Sequence, residues 1–187
     1  MRLSGSITAL VTPFKGRSVD EEALRRLVRF QVKNGTSALV PCGSTGEAAT
    51  LHLNEYRRAV EVVAGEADGR VPVIAGVASN DTEKAVVLAK SARDAGADAL
   101  LVLVPYYNKP TQEGMFRHFG AVAKAVPLPT VAYNIPGRTG VNMAPATLAR
   151  IAAAYPNIFA VKEASGSIEQ VSETILACPK GFTVLSG

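Results

Sequence analysis

The sequence predicts an α/β fold made of repeated strand–helix units, and three observations support that prediction. Short apolar runs recur along the 187 residues, and each is nearly continuous, which is typical of strands covered on both faces of a parallel sheet. Amphipathic segments with helix-capping residues lie between the runs. Successive runs begin roughly 24 to 34 residues apart, which is about the length of one strand–helix unit.

Seven strands are expected from these runs. Their predicted ranges are 6–12, 37–41, 71–76, 99–104, 129–133, 158–162 and 182–186. The chain has no Trp and only 6% aromatic residues, so the core is expected to consist mainly of Val, Ala, Leu and Ile.

Six helices are expected between the strands, and the sequence marks where several of them begin. A capping box at residues 18–21, opened by Ser18, predicts the first. Residues 80–83 begin another, and Gly96 is expected to end it. Thr111 begins a third helix, and a capping pattern at residues 167–170 begins the last.

Repeated strand–helix units form either a doubly wound sheet or a (β/α)₈ barrel. A complete barrel usually needs about 250 residues, whereas this sequence stops at the end of its seventh predicted strand. Both architectures remain open at this point. In both, the carboxyl ends of the parallel strands form the face that carries the chemistry.

Composition and charge exclude several classes of protein. The 20 Lys and Arg residues exceed the 16 Asp and Glu residues only slightly and form no long runs, which argues against a nucleic-acid or membrane partner. Cys42 and Cys178 are too few for a disulfide framework, so a cytoplasmic globular protein is expected. His52 and His118 lack metal-ligand spacing and are expected on helix surfaces. No Gly-x-Gly-x-x-Gly fingerprint indicates a nicotinamide cofactor.

The most informative strand end is that of the run at 158–162. Lys162 follows four apolar residues there, so its amine is expected at the mouth of a packed interior. Desolvation disfavours the ammonium ion and lowers its pKa, which makes a neutral amine available to attack a carbonyl group. A lysine that simply extends into solvent is the alternative that this segment leaves open.

Three other strand ends carry polar side chains. In residues 43–47, two glycines flank Ser44 and Thr45, a combination that suits a bound carboxylate or phosphate and equally a plain turn. Arg138 follows the strand that ends in Tyr133, and its guanidinium suits a substrate carboxylate unless it lies on a solvated loop.

A tyrosine pair, Tyr106 and Tyr107, follows the fourth predicted strand. A tyrosine hydroxyl can relay protons, although packing of the loop is the alternative explanation for both. Because adjacent side chains of an extended chain point to different sides, at most one of the two is expected to face the site.

Taken together, these motifs resemble the dihydrodipicolinate synthase/N-acetylneuraminate lyase family, which comprises pyruvate-dependent class I aldolases on a (β/α)₈ barrel. The resemblance runs from Gly5 to Gly187. It is carried by TPF at 12–14, GSTGE at 43–47, PYYN at 105–108, YNIPGRTG at 133–140, KEASG at 162–166 and LSG at 185–187.

The resemblance implies an α/β fold of the TIM-barrel type that is incomplete here. Family members continue past Gly187 with further strand–helix units and a C-terminal helical extension. Residues 1–187 are therefore expected to form a single barrel domain that lacks those parts.

The resemblance also implies a role for each candidate residue. Lys162 would form a Schiff base with pyruvate, with no added cofactor, and Tyr133 would relay protons. Ser44 and Tyr107 would complete a triad of hydroxyl groups. Because a neighbouring subunit fills the position of Tyr107 in the family, a homo-oligomer, either a dimer or a tetramer, is also implied. The implied substrate-binding residues are Thr45, Arg138 and Gly187.

Arg138 further distinguishes branches of the family. At this position the sequence is similar to the synthase branch of the family. In that branch, the arginine binds the carboxylate of L-aspartate 4-semialdehyde while the semialdehyde condenses with pyruvate in lysine biosynthesis. One alternative is another pyruvate-dependent aldolase of the N-acetylneuraminate lyase type. The other is an inactive remnant that acts only in protein association, because an open barrel leaves strand edges unpaired.

Overall fold

The computed structural model describes residues 3–187, which divide into two compact units. The first contains the described residues up to 77 together with 88–101, and the second contains 78–87 together with 102–187. The prediction of a single barrel domain at 1–187 stays a prediction.

After the first three strands, strands and helices alternate along the described part of the chain, except that α5 and α6 follow one another. The strands are β1 (Ile7–Ala9), β2 (Phe14–Lys15), β3 (Ser18–Val19), β4 (Ala38–Val40), β5 (Ile74–Val77), β6 (Ala99–Leu103), β7 (Thr130–Asn134), β8 (Ile158–Glu163) and β9 (Thr183–Ser186). The helices are α1 (Glu21–Lys33), α2 (Leu53–Ala67), α3 (Thr82–Asp94), α4 (Gln112–Ala125), α5 (Pro136–Thr139), α6 (Pro145–Ala154) and α7 (Ile168–Ala177).

The first unit contains a parallel pair of strands and two helices packed on one another. β1 pairs with β4, with Ile7 opposite Ala38, and Leu39 of β4 forms a bridge to Val73 just before β5. Leu24 and Val28 of α1 are buried, because the apolar residues of this helix recur on one face. The aliphatic composition of the chain accounts for this core.

The second unit contains the parallel strands β7, β8 and β9, in that order. Tyr133 of β7 lies opposite Lys162 of β8, and Lys162 lies opposite Leu185 of β9. Met115 and Phe119 of α4 are fully buried in this unit, as expected for apolar residues at helical spacing. The register places the carboxyl ends of the three strands side by side.

All seven predicted strands overlap observed ones, and all six helices between them are present. Two local predictions were wrong or incomplete. Ser18 does not cap α1: it lies in the β2–β3 hairpin, and the carboxylate of Asp20 accepts the N–H of Ala23 at 2.9 Å instead. The single-turn helix α5 was not expected, because four residues are too few to show a periodic pattern.

Candidate active site

The centre of the candidate site is the pair formed by Lys162 and Tyr133 in the second unit. The two residues occupy paired positions on β7 and β8, and Lys162 Nζ lies 4.6 Å from the centre of the Tyr133 ring. Tyr133 is buried and Lys162 half-buried, and this burial lowers the pKa of the lysine amine below its ordinary value. The position of Lys162 at an apolar strand end, expected from the sequence, is therefore the one observed.

Gly187 lies against the side chain of this lysine. A Cβ atom at position 187 would stand 3.0 Å from Lys162 Cε and 2.6 Å from Ala164 Cβ, which is closer than carbon atoms normally approach. The N–H of Gly187 donates to the Glu163 carbonyl oxygen at 3.1 Å, and this bond fixes the approach. A side chain at position 187 would therefore crowd the end of the Lys162 side chain.

A groove in the second unit brings Arg138 and Tyr107 together. Arg138 lies in α5, which begins at Pro136, two residues after the end of β7, and is followed by Gly140 in the left-handed conformation. The N–H of Tyr107 donates to the carbonyl oxygen of Thr139 at 3.2 Å, and this bond ties the tyrosine loop to α5. The groove is lined by Tyr106, Tyr107, Lys109, Gly137, Arg138, Thr139 and Gly140.

The two cationic side chains of this groove, those of Arg138 and Lys109, suit an anionic ligand. Tyr107 itself is 86% exposed with φ at 70°, whereas Tyr106 is half-buried. Both tyrosines line the groove, although at most one of them was expected to face the site. The phenol of Tyr107 is available at the surface of the chain.

Ser44 and Thr45 belong to the first unit, where both lie exposed on a tight turn. The N–H of Gly46 donates to the Gly43 carbonyl oxygen at 3.0 Å, and the hydroxyl of Thr12 donates to the Gly46 carbonyl oxygen at 2.7 Å. Gly46 lies so close to the carbonyl oxygen of Leu10 that a Cβ would stand 2.9 Å from it. Thr12, from the TPF motif, therefore fixes the turn whose two hydroxyl-bearing residues face outward.

Sequence reasoning assigned no role to a group of polar residues next to the lysine. Glu163 is 5% exposed, and both of its carboxylate oxygens accept from Asn134 Nδ2 at 3.1 Å. The N–H of Ser165 and the amide of Gln170 also donate to it, at 2.8 and 3.0 Å. The sequence did contain a signal for this group, namely a carboxylate directly after Lys162 in an apolar strand. A carboxylate that is buried needs hydrogen-bond partners, so its position predicts polar neighbours.

The prediction that His118 lies on a helix surface was wrong. Its ring is only 3% exposed, and Nδ1 lies 2.9 Å from the hydroxyl of Thr82. Burial lowers the pKa of His118 to about 4, so the ring is neutral at pH 7. Cys42 is a buried free thiol, as expected of a small core residue.

Within residues 3–187, no group of three or more His, Cys, Asp or Glu side chains is placed to hold a metal ion. The helices of the same residues include none that is both long and apolar enough to cross a membrane.

Comparison with known proteins agrees with this geometry. The Dihydrodipicolinate synthetase family matches residues 2–187. A 4-hydroxy-tetrahydrodipicolinate synthase from Syntrophobacter fumaroxidans is 55% identical over 183 residues, which are 98% of this chain and 62% of that protein. The chain therefore spans less than two thirds of the length of this relative.

Solved structures show the same similarity. A crystal structure of dihydrodipicolinate synthase has a TM-score of 0.96 and 48% identity, over 99% of this chain and 64% of that one. The chloride-inhibited dihydrodipicolinate synthase from Acinetobacter baumannii, complexed with pyruvate, has a TM-score of 0.93 and 44% identity, over 98% of this chain and 63% of that one. The α/β architecture is thus that of the TIM-barrel synthases, and the chain belongs to the Dihydrodipicolinate synthetase family.

Proposed function

We propose that this chain carries the pyruvate-binding machinery of a 4-hydroxy-tetrahydrodipicolinate synthase, a lyase that condenses pyruvate with L-aspartate 4-semialdehyde in lysine biosynthesis. The observation that carries the proposal is the half-buried amine of Lys162, 4.6 Å from the centre of the Tyr133 ring. The match with relatives of that name, over nearly the whole chain, supports the proposal.

The proposed first step is addition of the neutral Lys162 amine to the ketone carbon of pyruvate. The carbinolamine that forms then loses its hydroxyl group as water and becomes a protonated Schiff base. Loss of a proton from the methyl carbon gives an enamine, whose carbon attacks the aldehyde of the second substrate. The amine nitrogen of that substrate then replaces Lys162 at the former ketone carbon, which closes the ring and frees the enzyme.

Proton transfer in these steps is assigned to hydroxyl groups. The phenol of Tyr133 would carry protons to and from the oxygen that leaves as water, since it belongs to the residue paired with the lysine. Ser44 and Tyr107 would extend this path. Arg138 would hold the semialdehyde carboxylate, Thr45 the pyruvate carboxylate, and Gly187 would keep the lysine end unobstructed. The reaction needs no added cofactor, because the protonated Schiff base formed on Lys162 accepts the electrons when the methyl carbon loses its proton.

A homo-oligomer, a dimer or a tetramer, is part of this proposal. Tyr107 is 86% exposed on this chain, and a hydroxyl required in an active site does not act from bulk solvent. A second copy that receives the Tyr107 side chain would give it the enclosed surroundings that proton transfer needs.

An aldolase that acts on a sialic or sugar acid is the second candidate function. The groove that contains Arg138 favours the synthase, because a carboxylate-bearing aldehyde needs a cation and a sugar aldehyde does not. An inactive remnant is the third candidate, and it would form no adduct with pyruvate.

The test is incubation with pyruvate, reduction with borohydride and peptide mapping. The expected result is a reduced pyruvate adduct on Lys162, with the helix lysines Lys33, Lys90 and Lys124 unlabelled. A label elsewhere on a folded protein contradicts the Schiff-base assignment. Added before the borohydride, the semialdehyde is expected to lower the amount of adduct that is trapped, whereas a sugar aldehyde would lower it only in a sialic-acid-type aldolase.

A further inference from the structure

Glu163 is a buried carboxylate that accepts hydrogen bonds from three donors. Asn134 Nδ2, the Ser165 N–H and Gln170 Nε2 all donate to it, at 2.8 to 3.1 Å. In the part of the chain that the structure describes, Glu163 forms no ion pair. Because burial of a charge without a counter-ion is costly, these donors are what makes the charge tolerable.

The donors also explain why the residue is an acid and not an amide. A carboxylate accepts through both oxygens, whereas a glutamine at this position would turn its NH₂ group toward at least one donor. That donor would then be buried without an acceptor, which lowers the stability of the folded state.

The group lies one residue beyond the reactive pair on each strand. Asn134 follows Tyr133, Glu163 follows Lys162, and Asn134 lies opposite Glu163 in the register of β7 and β8. The side-chain bond between Asn134 and Glu163 therefore joins the two strand ends directly after the residues proposed to do the chemistry.

The same asparagine also bonds to the residues that follow the Arg138 segment, and so connects the two ends of that segment. Asn134 Oδ1 accepts from the Met143 N–H at 3.0 Å, and Asn134 Nδ2 donates to Asn142 Oδ1 at 2.8 Å. The amide of Asn142 also donates to Gln170 Oε1 at 2.7 Å. Residues 135–141, with α5 and Arg138 in them, thus form a loop whose base is held by side chains bound to Glu163.

We propose that Glu163 is a positioning residue, which holds the Lys162 strand end and the Arg138 segment in a fixed relation through Asn134. The proposal rests on the proposed function, because it concerns the two groups that would bind pyruvate and the semialdehyde. Glu163 does not touch substrate in this scheme: it sets where the lysine amine and the guanidinium stand.

The test uses the 187-residue chain and the rate at which borohydride-trapped pyruvate accumulates on Lys162. Glu163→Gln keeps the shape and removes the charge, and we expect the rate at saturating pyruvate to fall about tenfold or more, since small misplacements of a reacting group are costly. Asn134→Asp puts two carboxylates together and is expected to lower the rate similarly. The double variant restores an acid–amide bond between the two strand ends but still leaves one donor facing the glutamine NH₂ group and Asn142 Oδ1 without the Asn134 donor, so it is expected to recover part of the rate.

The measurements are made well below each variant's unfolding temperature, so that the rate refers to folded protein. A merely structural role would lower the unfolding temperature and leave the rate per folded molecule unchanged, and that result overturns the proposal. Glu169→Gln is the matched control, because this exposed glutamate lies nearby in α7, and its rate is expected to stay that of the unaltered chain. If the unaltered chain forms no adduct on Lys162, both proposals fail; if only the Glu163→Gln rate is unaffected, this one fails alone.

A second measurement covers the case in which Glu163→Gln does not fold. Asn142 is exposed, so Asn142→Ala is expected to fold while it loosens the base of the loop. Trypsin should then cut after Arg138 severalfold faster than in the unaltered chain, relative to cleavage after Arg117 of α4 in the same digest. Equal cleavage after Arg138 in the two proteins contradicts the assigned role of this group.

Discussion

Lys162 and Tyr133 lie opposite one another on adjacent parallel strands, with the lysine nitrogen 4.6 Å from the centre of the phenol ring. The backbone register that places them there is shared with Asn134 and Glu163, one residue further along. Any change that slides β8 against β7 would therefore separate both pairs at once. The position of the Lys162 amine relative to Tyr133 is thus set by the main-chain pairing of β7 and β8.

The pH dependence of labelling tests the surroundings of the amine. Burial lowers the pKa of Lys162 below its ordinary value of 10.5, so the neutral amine becomes available at lower pH than it would on a free lysine. We expect the rate of adduct trapping to rise with pH and to reach its midpoint below 10.5. Rates measured from pH 6 to 11 check this, and a midpoint at or above the ordinary lysine value contradicts it.

The close approach of Gly187 to Lys162 gives a second prediction. In Gly187→Ala the added carbon meets Ala164 Cβ at 2.6 Å and Lys162 Cε at 3.0 Å, so the lysine end must shift. Adduct formation is expected to slow about tenfold, because the shift misplaces the attacking nitrogen. Since Gly187 is exposed, the unfolding temperature should change little. Gly65→Ala in α2, where an added Cβ meets nothing within 4 Å, is the matched control and should leave the rate unchanged.

Arg138 is expected to separate the two substrates. Loss of a charge-assisted bond to a carboxylate costs about 1.5–3 kcal/mol. Arg138→Ala should therefore raise, by about tenfold to a hundredfold, the semialdehyde concentration that halves the amount of pyruvate adduct that borohydride then traps. Formation of the adduct itself should change little. Equal loss of both steps would indicate that Arg138 is structural, and Arg117→Ala, an exposed arginine of α4, is the control.

Much of the strand and helix pattern could be predicted because buried positions are occupied by apolar residues, whose spacing is visible in the sequence. Strands β4 to β9 overlap runs that are nearly continuously apolar, and the N-caps Thr111 and Ser167 lie where the sequence predicted them. The β2–β3 hairpin was missed because its strands have two residues each and bury little. Ser18 and Asp20 are both good capping residues, and only the path of the chain decides between them.

The candidate site was predictable where a residue type alone carries the chemistry, as with Lys162 after an apolar run. The group around Glu163 was not, because its members stand far apart in the sequence and meet only through the register of β7 and β8. The burial of His118 was missed for a related reason. In the sequence, a histidine next to Phe119 fits an exposed position and a position at the edge of the buried helix face equally well. Its hydrogen-bond partner Thr82 belongs to another helix, α3, so the sequence around His118 does not indicate it.

Gly76 gives a prediction about the stability of the first unit. Its N–H donates to the Pro41 carbonyl oxygen at 3.0 Å, and a Cβ there would stand 2.1 Å from the Cys42 carbonyl oxygen. Since that atom is backbone, it cannot rotate away, and Cys42 already has a positive φ of 54°. Gly76→Ala should lower the free energy of unfolding by about 3 kcal/mol or more. Urea unfolding checks this against Gly65→Ala in α2, which should be neutral or slightly stabilising.

His118 gives the last prediction, which concerns acid. Burial lowers its pKa from 6.5 to about 4, while Asp81 opposes the shift weakly. As the pH falls below 6.5, the unfolded chain binds a proton that the folded chain does not, so the folded state loses stability down to about pH 4. The shift corresponds to about 3 kcal/mol at pH 4. His118→Asn removes this titration, and the carboxylates that protonate over the same range do so in both proteins. The unaltered chain should therefore lose about 3 kcal/mol more than His118→Asn between pH 7.5 and 4. Urea unfolding at both pH values measures the difference, and parallel losses in the two proteins would show that the ring is not buried in its neutral form.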